Sequence, residues 1–525
     1  MTDDSKETPT GDESPSVGET PAAGEPQTKE EPAAQVSLEL SAYRKVFRDR
    51  DFMALWVGQG ISGMGDWVIV GVLLDMVNRM GGTTGLFIML TFRFLPAFLF
   101  GLLAGAVVDR LERKTLMILC EVSRATLVLI LAFANSLAMI CVLVFGIECF
   151  TLLFGPAKDS SIPDLVGKDE VMTANSMMST STYLTMALGT FLATLILGLA
   201  ALIYKFPLVS NLTSLGNFQH TFAFILDALT FIVSAMLIFT IAFPRRFTGK
   251  RPEIKANQIW ADFKDGLVYM RSNPLTKSIL GVMIIGFIGG GSLYILGAPF
   301  AQQVLHAVGS KFTLILTFLL FGVVVGAALA PWLSRYFPVS RWFGRAVVGF
   351  GLAMFVFAWI DFYPLSLVVI FLGGFLLGFM LVTAYTLLHK SLEEDIRGRV
   401  FAAFQTIMRT CLLISMGIFA GVSSLFALWI PWKADKPVYK TLNLGFIHKS
   451  IYPAMLAIMA GAAVVIVGGI IAIRSLKPYF SSVAVQEKEQ TGTRLPEVEP
   501  GFVFDTPDEV QKEGSENGEG TPSST

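Results

Sequence analysis

Between residues 42 and 479 the chain alternates long apolar stretches with short polar ones. Each apolar stretch is long enough for an α-helix to cross a bilayer, about 20 residues at 1.5 Å of rise each, and the fifth and eleventh are long enough to tilt or to project into a loop. The pattern predicts twelve spans. Six are Phe52–Val77, Leu86–Val108, Leu116–Ala134, Leu137–Phe154, Met172–Ile203 and Phe222–Phe243. Six more are Leu275–Phe300, Phe312–Leu333, Trp342–Ile360, Leu365–Leu388, Val400–Leu428 and Ile451–Ile473. The expected fold class is an all-α membrane protein with twelve transmembrane helices in two six-helix halves, 42–243 and 275–479.

The dividing segment, 244–274, is a cytoplasmic linker in this reading. Ile259, Phe263, Leu267 and Met270 recur there at helical spacing, opposite Asp262 and Asp265. That pattern predicts an amphipathic helix lying on the membrane surface, and a plain soluble helix would share it. Residues 1–41 and 480–525 are rich in Glu, Pro, Gly and Ser, cannot bury a core, and are expected to be disordered acidic tails.

Charge orients the spans. The net charge is −1, yet the tails carry 20 acids and only 5 bases, which leaves 35 bases against 21 acids in the membrane core. Of the core's Lys and Arg, 25 fall on or beside one set of alternate loops and 7 on the other. Basic loops stay in the cytoplasm, so both termini are expected there, in a multi-pass protein of the cell (inner) membrane. The exception is Pro431–Ser450, with Lys433, Lys436, Lys440 and Lys449, and late loops influence topology less than early ones. Cys120, Cys141, Cys149 and Cys411 all lie in apolar stretches without metal-ligand spacing and read as small packing residues. There is no Walker-type phosphate loop, and no nucleophile or metal constellation stands out. The chain is therefore not expected to be an enzyme, to bind nucleic acid, or to use a cofactor or metal.

Charges inside hydrocarbon are costly and normally face a cavity or a partner. Asp66 sits near the middle of span one, with Gln59 and Ser62 on the same helical face. This stripe is a candidate cavity wall, and Asp66 the first candidate for a proton-binding carboxylate. A structural ion pair with Arg93 is the alternative, because the two differ in depth by only roughly 6 Å on antiparallel spans. Arg93 has two other possible partners, an anionic substrate and Asp75. Glu121 and Arg124, three apart on span three, are expected to pair and, with Glu148, to form an inner charge network. Arg409 lies well inside span eleven, where it either contacts substrate or caps a carbonyl. Asp227 is expected near the outer end of span six, within reach of water. Gly289–Gly291 suggests a bend or close helix approach in span seven.

Between spans two and three the chain reads GAVVDRLERK from Gly105 to Lys114. This loop resembles the G-x-x-x-D-R-x-G-R-K signature of the major facilitator superfamily. Gly105, Asp109, Arg110, Arg113 and Lys114 match it, and Glu112 replaces the second Gly. Three shorter stretches, Gly65-Asp66-Trp67, Gly155–Val166 leading into Ala174-Asn175, and Arg397–Phe401, resemble the branch of macrolide-efflux-type transporters and the enterobactin exporter. The superfamily resemblance covers about residues 42–479. It implies parallel six-helix repeats around a cavity lined by spans one, two, four, five, seven, eight, ten and eleven. It implies a proton-driven exporter of small, mostly hydrophobic molecules, drug-like or siderophore-like, that works as a monomer in the bilayer.

The same resemblance gives the signature loop a gating role. Asp109 would accept hydrogen bonds at the N-terminus of span eleven, and Arg113 or Lys114 would pair with Asp159. Two rival functions share the sequence features: a lipid or lysolipid flippase of the same fold, and a non-transporting membrane sensor or scaffold that uses the acidic tails.

Overall fold

The computed structural model describes residues 43–108, 110–167, 170–211, 214–243, 256–336, 339–392, 394–430, 440–444 and 447–491. The first series of helices is α1 (Arg50–Val108), α2 (Arg113–Leu131), α3 (Leu137–Leu165) and α4 (Val171–Ile203). The single turn α5 (Pro207–Ser210) and α6 (Leu215–Thr240) complete it, and α7 (Ala256–Ser272) follows. The second series is α8 (Pro274–Gln303), α9 (Ser310–Tyr336), α10 (Val339–Trp359), α11 (Tyr363–Ser391) and α12 (Glu394–Trp429), closed by α13 (Pro453–Thr491).

Ten of these helices are long and apolar enough to cross a membrane. One of the ten, α1, is two legs: Gly82 breaks it at φ 55° and ψ −149°. L side chains rarely adopt such a backbone, so glycine is needed where the chain turns back. Gly85 then returns against Val77. Helix α2 is less apolar because Glu121 and Arg124 occupy its middle, yet both are buried. With two legs in α1 and with α2 included, the bundle agrees with twelve spans. Three of the helices, α3, α6 and α8, start where a side chain caps free amides. Ser136 Oγ accepts the Met139 N–H at 3.3 Å, and Asn273 Oδ1 accepts those of Leu275 and Thr276, both at 3.1 Å.

Two groups of helices pack internally. Helices α1–α4 and α6 form one half, and α8–α13 the other. The halves meet through α1 with α8 and α12, and through α4 with α9. The outward faces carry large exposed apolar side chains, among them Phe98, Phe133, Val142, Phe239 and Leu425. Such a surface suits lipid as its solvent. In lipid the helices hold together by close van der Waals contact rather than by expulsion of water. The tightest seam joins α9 to α11. Gly322 and Gly326 abut the backbone of Phe371 and Phe375, while Gly374 and Gly378 abut that of Leu319 and Val323. Gly289 and Gly291, expected at a bend or close approach, serve close approach: the first meets Gly461 and Val465 on α13, the second Ser415 on α12.

Several expectations need correction. Helix α6 begins at Leu215 under a Ser214 cap rather than at Phe222, so Asp227 lies mid-helix and is 1% exposed instead of near water. Residues 155–165, left outside span four, continue α3 as far as Leu165. The C-terminal tail starts later than 480, since α13 runs on to Thr491. No Pro or Gly interrupts 480–491, and its Gln, Glu and Lys propagate a helix well. The 431–450 loop contains an antiparallel hairpin, β1 (Lys440–Leu444) with β2 (Ile447–Ile451), pairing Lys440 with Ile451 and Leu444 with Ile447. The linker helix forms, but its packed face is Phe263, Gly266 and Met270, set against the start of α12, while Leu267 stays 42% exposed. The Ile259 and Asp262 side chains lie outside the described residues, as do residues 1–42 and 492–525.

Candidate functional site

Of the charged residues singled out within the spans, Asp66, Glu121 and Arg124 gather inside the first half, while Arg93 and Glu148 reach the second half at Tyr294 and Arg409. Arg124 is the hub of the first group. It is 1% exposed, its Nη2 lies 2.8 Å from Glu121 Oε1, and its Nη1 lies 3.5 Å from Asp66 Oδ2. Its guanidinium is packed between the rings of Phe154 on α3 and Phe231 on α6, at 4.7 and 4.5 Å from the centroids. A desolvated cation between two rings gains about 2 kcal/mol from their quadrupoles. Ser234 Oγ donates to Glu121 Oε1 at 3.0 Å.

The expected pair Glu121–Arg124 is therefore present, and the pair Asp66–Arg93 is not. Arg93 instead binds Glu148, Nη2 to Oε1 at 2.9 Å. Helical rise sets depth but not azimuth, and it is Arg124 of α2 that reaches Asp66. Of the stripe on the first leg of α1, Asp66 is partly open, with its side chain 29% exposed, whereas Ser62 is fully buried against Glu121. Gln59 is half-buried and its Oε1 has no partner among the described residues.

Asp227 belongs to the same cluster, which the sequence did not reveal. Thr230 Oγ1 donates to its Oδ1 at 3.1 Å, and its Oδ2 is buried without a hydrogen bond among the described residues. Gly65 makes room for it, since a side chain there would overlap the carboxylate. Arg409 on α12 belongs to the other half, within electrostatic reach of Glu148 and of Tyr385 on α11.

The second half contributes an apolar chamber of about 320 Å³ beside this network. Phe287, Leu316, Phe350 and Leu381 are among its walls, and Trp67, next to Asp66, closes it from the first half. Tyr294 lines it too and stacks edge-on with Phe94 at 6.4 Å, so charged and apolar walls meet at this ring.

At the end of the bundle away from the 105–114 loop, hydrogen bonds join the halves. Asp75 Oδ1 accepts the Gly309 N–H at 3.2 Å, Asn78 donates to Gln302 at 2.6 Å, and Thr194 Oγ1 pairs with Thr313 Oγ1 at 3.0 Å. Gly309 takes φ 57°, which presents that N–H. Asp75 is engaged by Arg79 at 2.6 Å and faces His220 at 3.6 Å, so it is not the partner of Arg93.

At the loop end the gating residues are differently paired than expected. Arg113 binds Asp164 at 2.5 Å and the Ser160 carbonyl at 2.8 Å. Lys114 donates to the Ile241 carbonyl at 2.8 Å. Asp159 instead neighbours Lys158 at 3.3 Å, because 155–165 is helical and turns it outward, 66% exposed. Arg110 is exposed, Gly105 lies in α1, and Asp109 falls outside the described residues. Glu112 stands just before α2 at φ −67° and ψ 116°, a backbone any residue adopts, so the turn does not need the missing glycine.

Comparison with known proteins places this architecture. The family model described as Major Facilitator Superfamily matches residues 55–411. The transporter YfiS of Bacillus subtilis, described as an uncharacterized MFS-type transporter, is 26% identical over 422 residues, covering 74% of this chain and 89% of that protein. The lysophospholipid transporter LplT of Yersinia enterocolitica is 24% identical over 320 residues, covering 57% of this chain and 71% of its own. Among solved structures, a bacterial homologue of the human lysosomal transporter Spinster superposes with a TM-score of 0.62 at 16% identity, over 86% of this chain and 99% of that one. A bacterial homologue of ferroportin gives 0.60 at 14% identity, over 81% and 98%. These likenesses confirm the fold.

Proposed function

Because this chain belongs to the Major Facilitator Superfamily, we propose that it is a secondary active transporter, a proton-coupled exporter of small hydrophobic or amphipathic molecules working by alternating access. It is a transporter-family protein and not an enzyme.

The observation that carries this reading is the contrast between the two walls of the central space. Asp66, with Arg124 buried behind it, and the pair Arg93–Glu148 stand on the side of the first half, and the apolar chamber on that of the second. An apolar pocket with a few convergent polar groups is the usual form of a small-molecule site. Asp66 is the partly open member of its pair. A proton on Asp66 would leave Arg124 with Glu121 alone, so proton binding and repacking of α1, α2 and α6 are linked.

The count of basic residues supports cytoplasmic termini and a cytoplasmic 105–114 loop. The joined end at Asp75–Gly309 is then the outer gate, held shut, and the loop end is the inner gate. Arg113, Lys114 and Asp164 brace the first half there, and Asp109 completes the inner gate when the halves close. The protein acts as a monomer in the cell membrane, on the pattern of the macrolide-efflux and enterobactin-exporter branch.

A second reading, lysophospholipid translocation, is favoured by the function named for the Yersinia relative and by the coexistence of a charged and an apolar wall. Proteoliposomes distinguish the two. Proton flux evoked by a hydrophobic drug or a siderophore supports the first. Lysophospholipid movement without a proton gradient supports the second, and neither flux nor lipid movement overturns both.

A further inference from the structure

Arg409 stands near the middle of the 36-residue α12, at membrane depth, and its side chain is exposed. It makes no hydrogen bond or ion pair among the described residues. The exposure is toward the central space and not toward lipid, because its electrostatic partners Glu148 and Tyr385 stand on α3 and α11, across and beside that space. Glu148 is already neutralised by Arg93 at 2.9 Å. Arg409 is therefore left without an ion-pair partner of its own among the described residues.

A guanidinium at this depth with no hydrogen-bond acceptor costs a few kcal/mol unless something supplies one. The other arginines here are matched: Arg124 by Glu121 and Asp66, Arg93 by Glu148. Tyr385, within electrostatic reach of Arg409, and Tyr294, within reach of Arg93 and Glu148, each carry a hydroxyl able to donate to an anion. One turn along α12 from Arg409, Leu412 lines the apolar chamber of about 320 Å³. That volume is at the lower end for small-molecule sites, enough for one chain or ring system.

We propose that Arg409 receives the anionic headgroup, phosphate or carboxylate, of a single-chain amphiphile whose apolar part occupies the chamber lined by Leu412 and Tyr294. Guanidinium matches both headgroups through paired N–H donors. This inference rests on the transporter reading and names the substrate class of its central site.

The test is calorimetric titration of the full-length protein in phosphatidylcholine nanodiscs, with empty nanodiscs as the blank. The probes are octyl phosphate, octanoate, octyltrimethylammonium and the uncharged octyl glucoside. The wild type is expected to bind at least one of the two anions about tenfold or more tightly than the cation, as loss of a charge-assisted hydrogen bond implies. Arg409→Gln is expected to abolish that preference while binding octyl glucoside as before, and Arg409→Lys to keep most of it. The tighter of the two anions identifies the headgroup. The proposal is overturned if the wild type binds neither anion, if it prefers the cation, or if Arg409→Gln leaves the preference intact. Binding needs no gradient, so a protein that binds as expected but moves no solute would contradict the transporter reading alone. A protein that pumps while Arg409→Gln leaves selectivity untouched would contradict only this inference.

Discussion

Arg124 reaches Asp66 at 3.5 Å from a different helix, with its guanidinium held between Phe154 and Phe231. The same guanidinium neutralises Glu121, which is fully buried. Removing one partner of a buried pair strands the other charge at a cost of about 3–5 kcal/mol. Arg124→Met is expected to lower the thermal unfolding midpoint in detergent sharply, and adding Glu121→Gln to recover most of it. An unchanged midpoint in Arg124→Met would mean that the pair contributes nothing to stability.

The α9–α11 seam makes a prediction about packing alone. A methyl added at Gly326 or Gly378 would run into the backbone of the opposing helix, whereas at Gly281 it meets nothing within 4 Å. Overpacking of this kind costs about 1–3 kcal/mol. Gly326→Ala and Gly378→Ala should each destabilise the protein, and Gly281→Ala should not. Denaturation of the three variants side by side reads the difference.

Asp75 should control the end of the bundle where the halves are joined. Asp75→Ala removes the acceptor of the Gly309 N–H and the partner of Arg79. Charged hydrogen bonds are worth about 1.5–3 kcal/mol, so the joined state should lose about tenfold or more in population. Spin labels at the exposed positions Lys205 and Lys311, one on each half, report it. The mutant should gain a longer-distance component, and an identical distance distribution would remove Asp75 from the gate.

The linker helix α7 should depend on Gly266 and not on its ion pair. Asp265 and Arg399 are 3.4 Å apart but 57% and 46% exposed, so Asp265→Asn is expected to cost under about 1 kcal/mol. Gly266 lies against the Arg399 backbone, and Gly266→Val cannot fit there. Trypsin should then cut at the exposed Lys264 faster in Gly266→Val than in Asp265→Asn.

The spans and the division into halves were legible in the sequence because a bilayer forces helices of nearly fixed length and apolar character. The exceptions have local causes. Residues 155–165 and 480–491 fall outside the apolar runs by their charge and composition, yet the helix before each runs on through them. The set of charged residues in the site was also legible, since Asp66, Arg93, Glu121, Arg124 and Glu148 stand out against apolar neighbours. The i,i+3 pair Glu121–Arg124 was legible too, but who pairs with whom between helices was not, because sequence spacing gives the depth of a side chain and not the direction it faces. That is why Arg124 took the place expected for Arg93 beside Asp66. Asp227 was misplaced for a related reason: the Ser214 cap starts α6 two turns before its apolar run begins. The glycine pairs at 322, 326, 374 and 378 have the small-xxx-small spacing of helix seams, which was readable but becomes meaningful only when the two helices are seen together.

The central claim is that a proton on Asp66 couples to substrate movement, and proton flux in proteoliposomes tests it most directly. Wild type and Asp66→Asn would be reconstituted with a pH-sensitive dye inside and challenged with the same hydrophobic and amphipathic compounds. The account predicts substrate-dependent proton flux in the wild type and its loss in Asp66→Asn, with the mutant still folded by its melting profile. Undiminished flux in Asp66→Asn would contradict it and leave the pair with Arg124 a structural one.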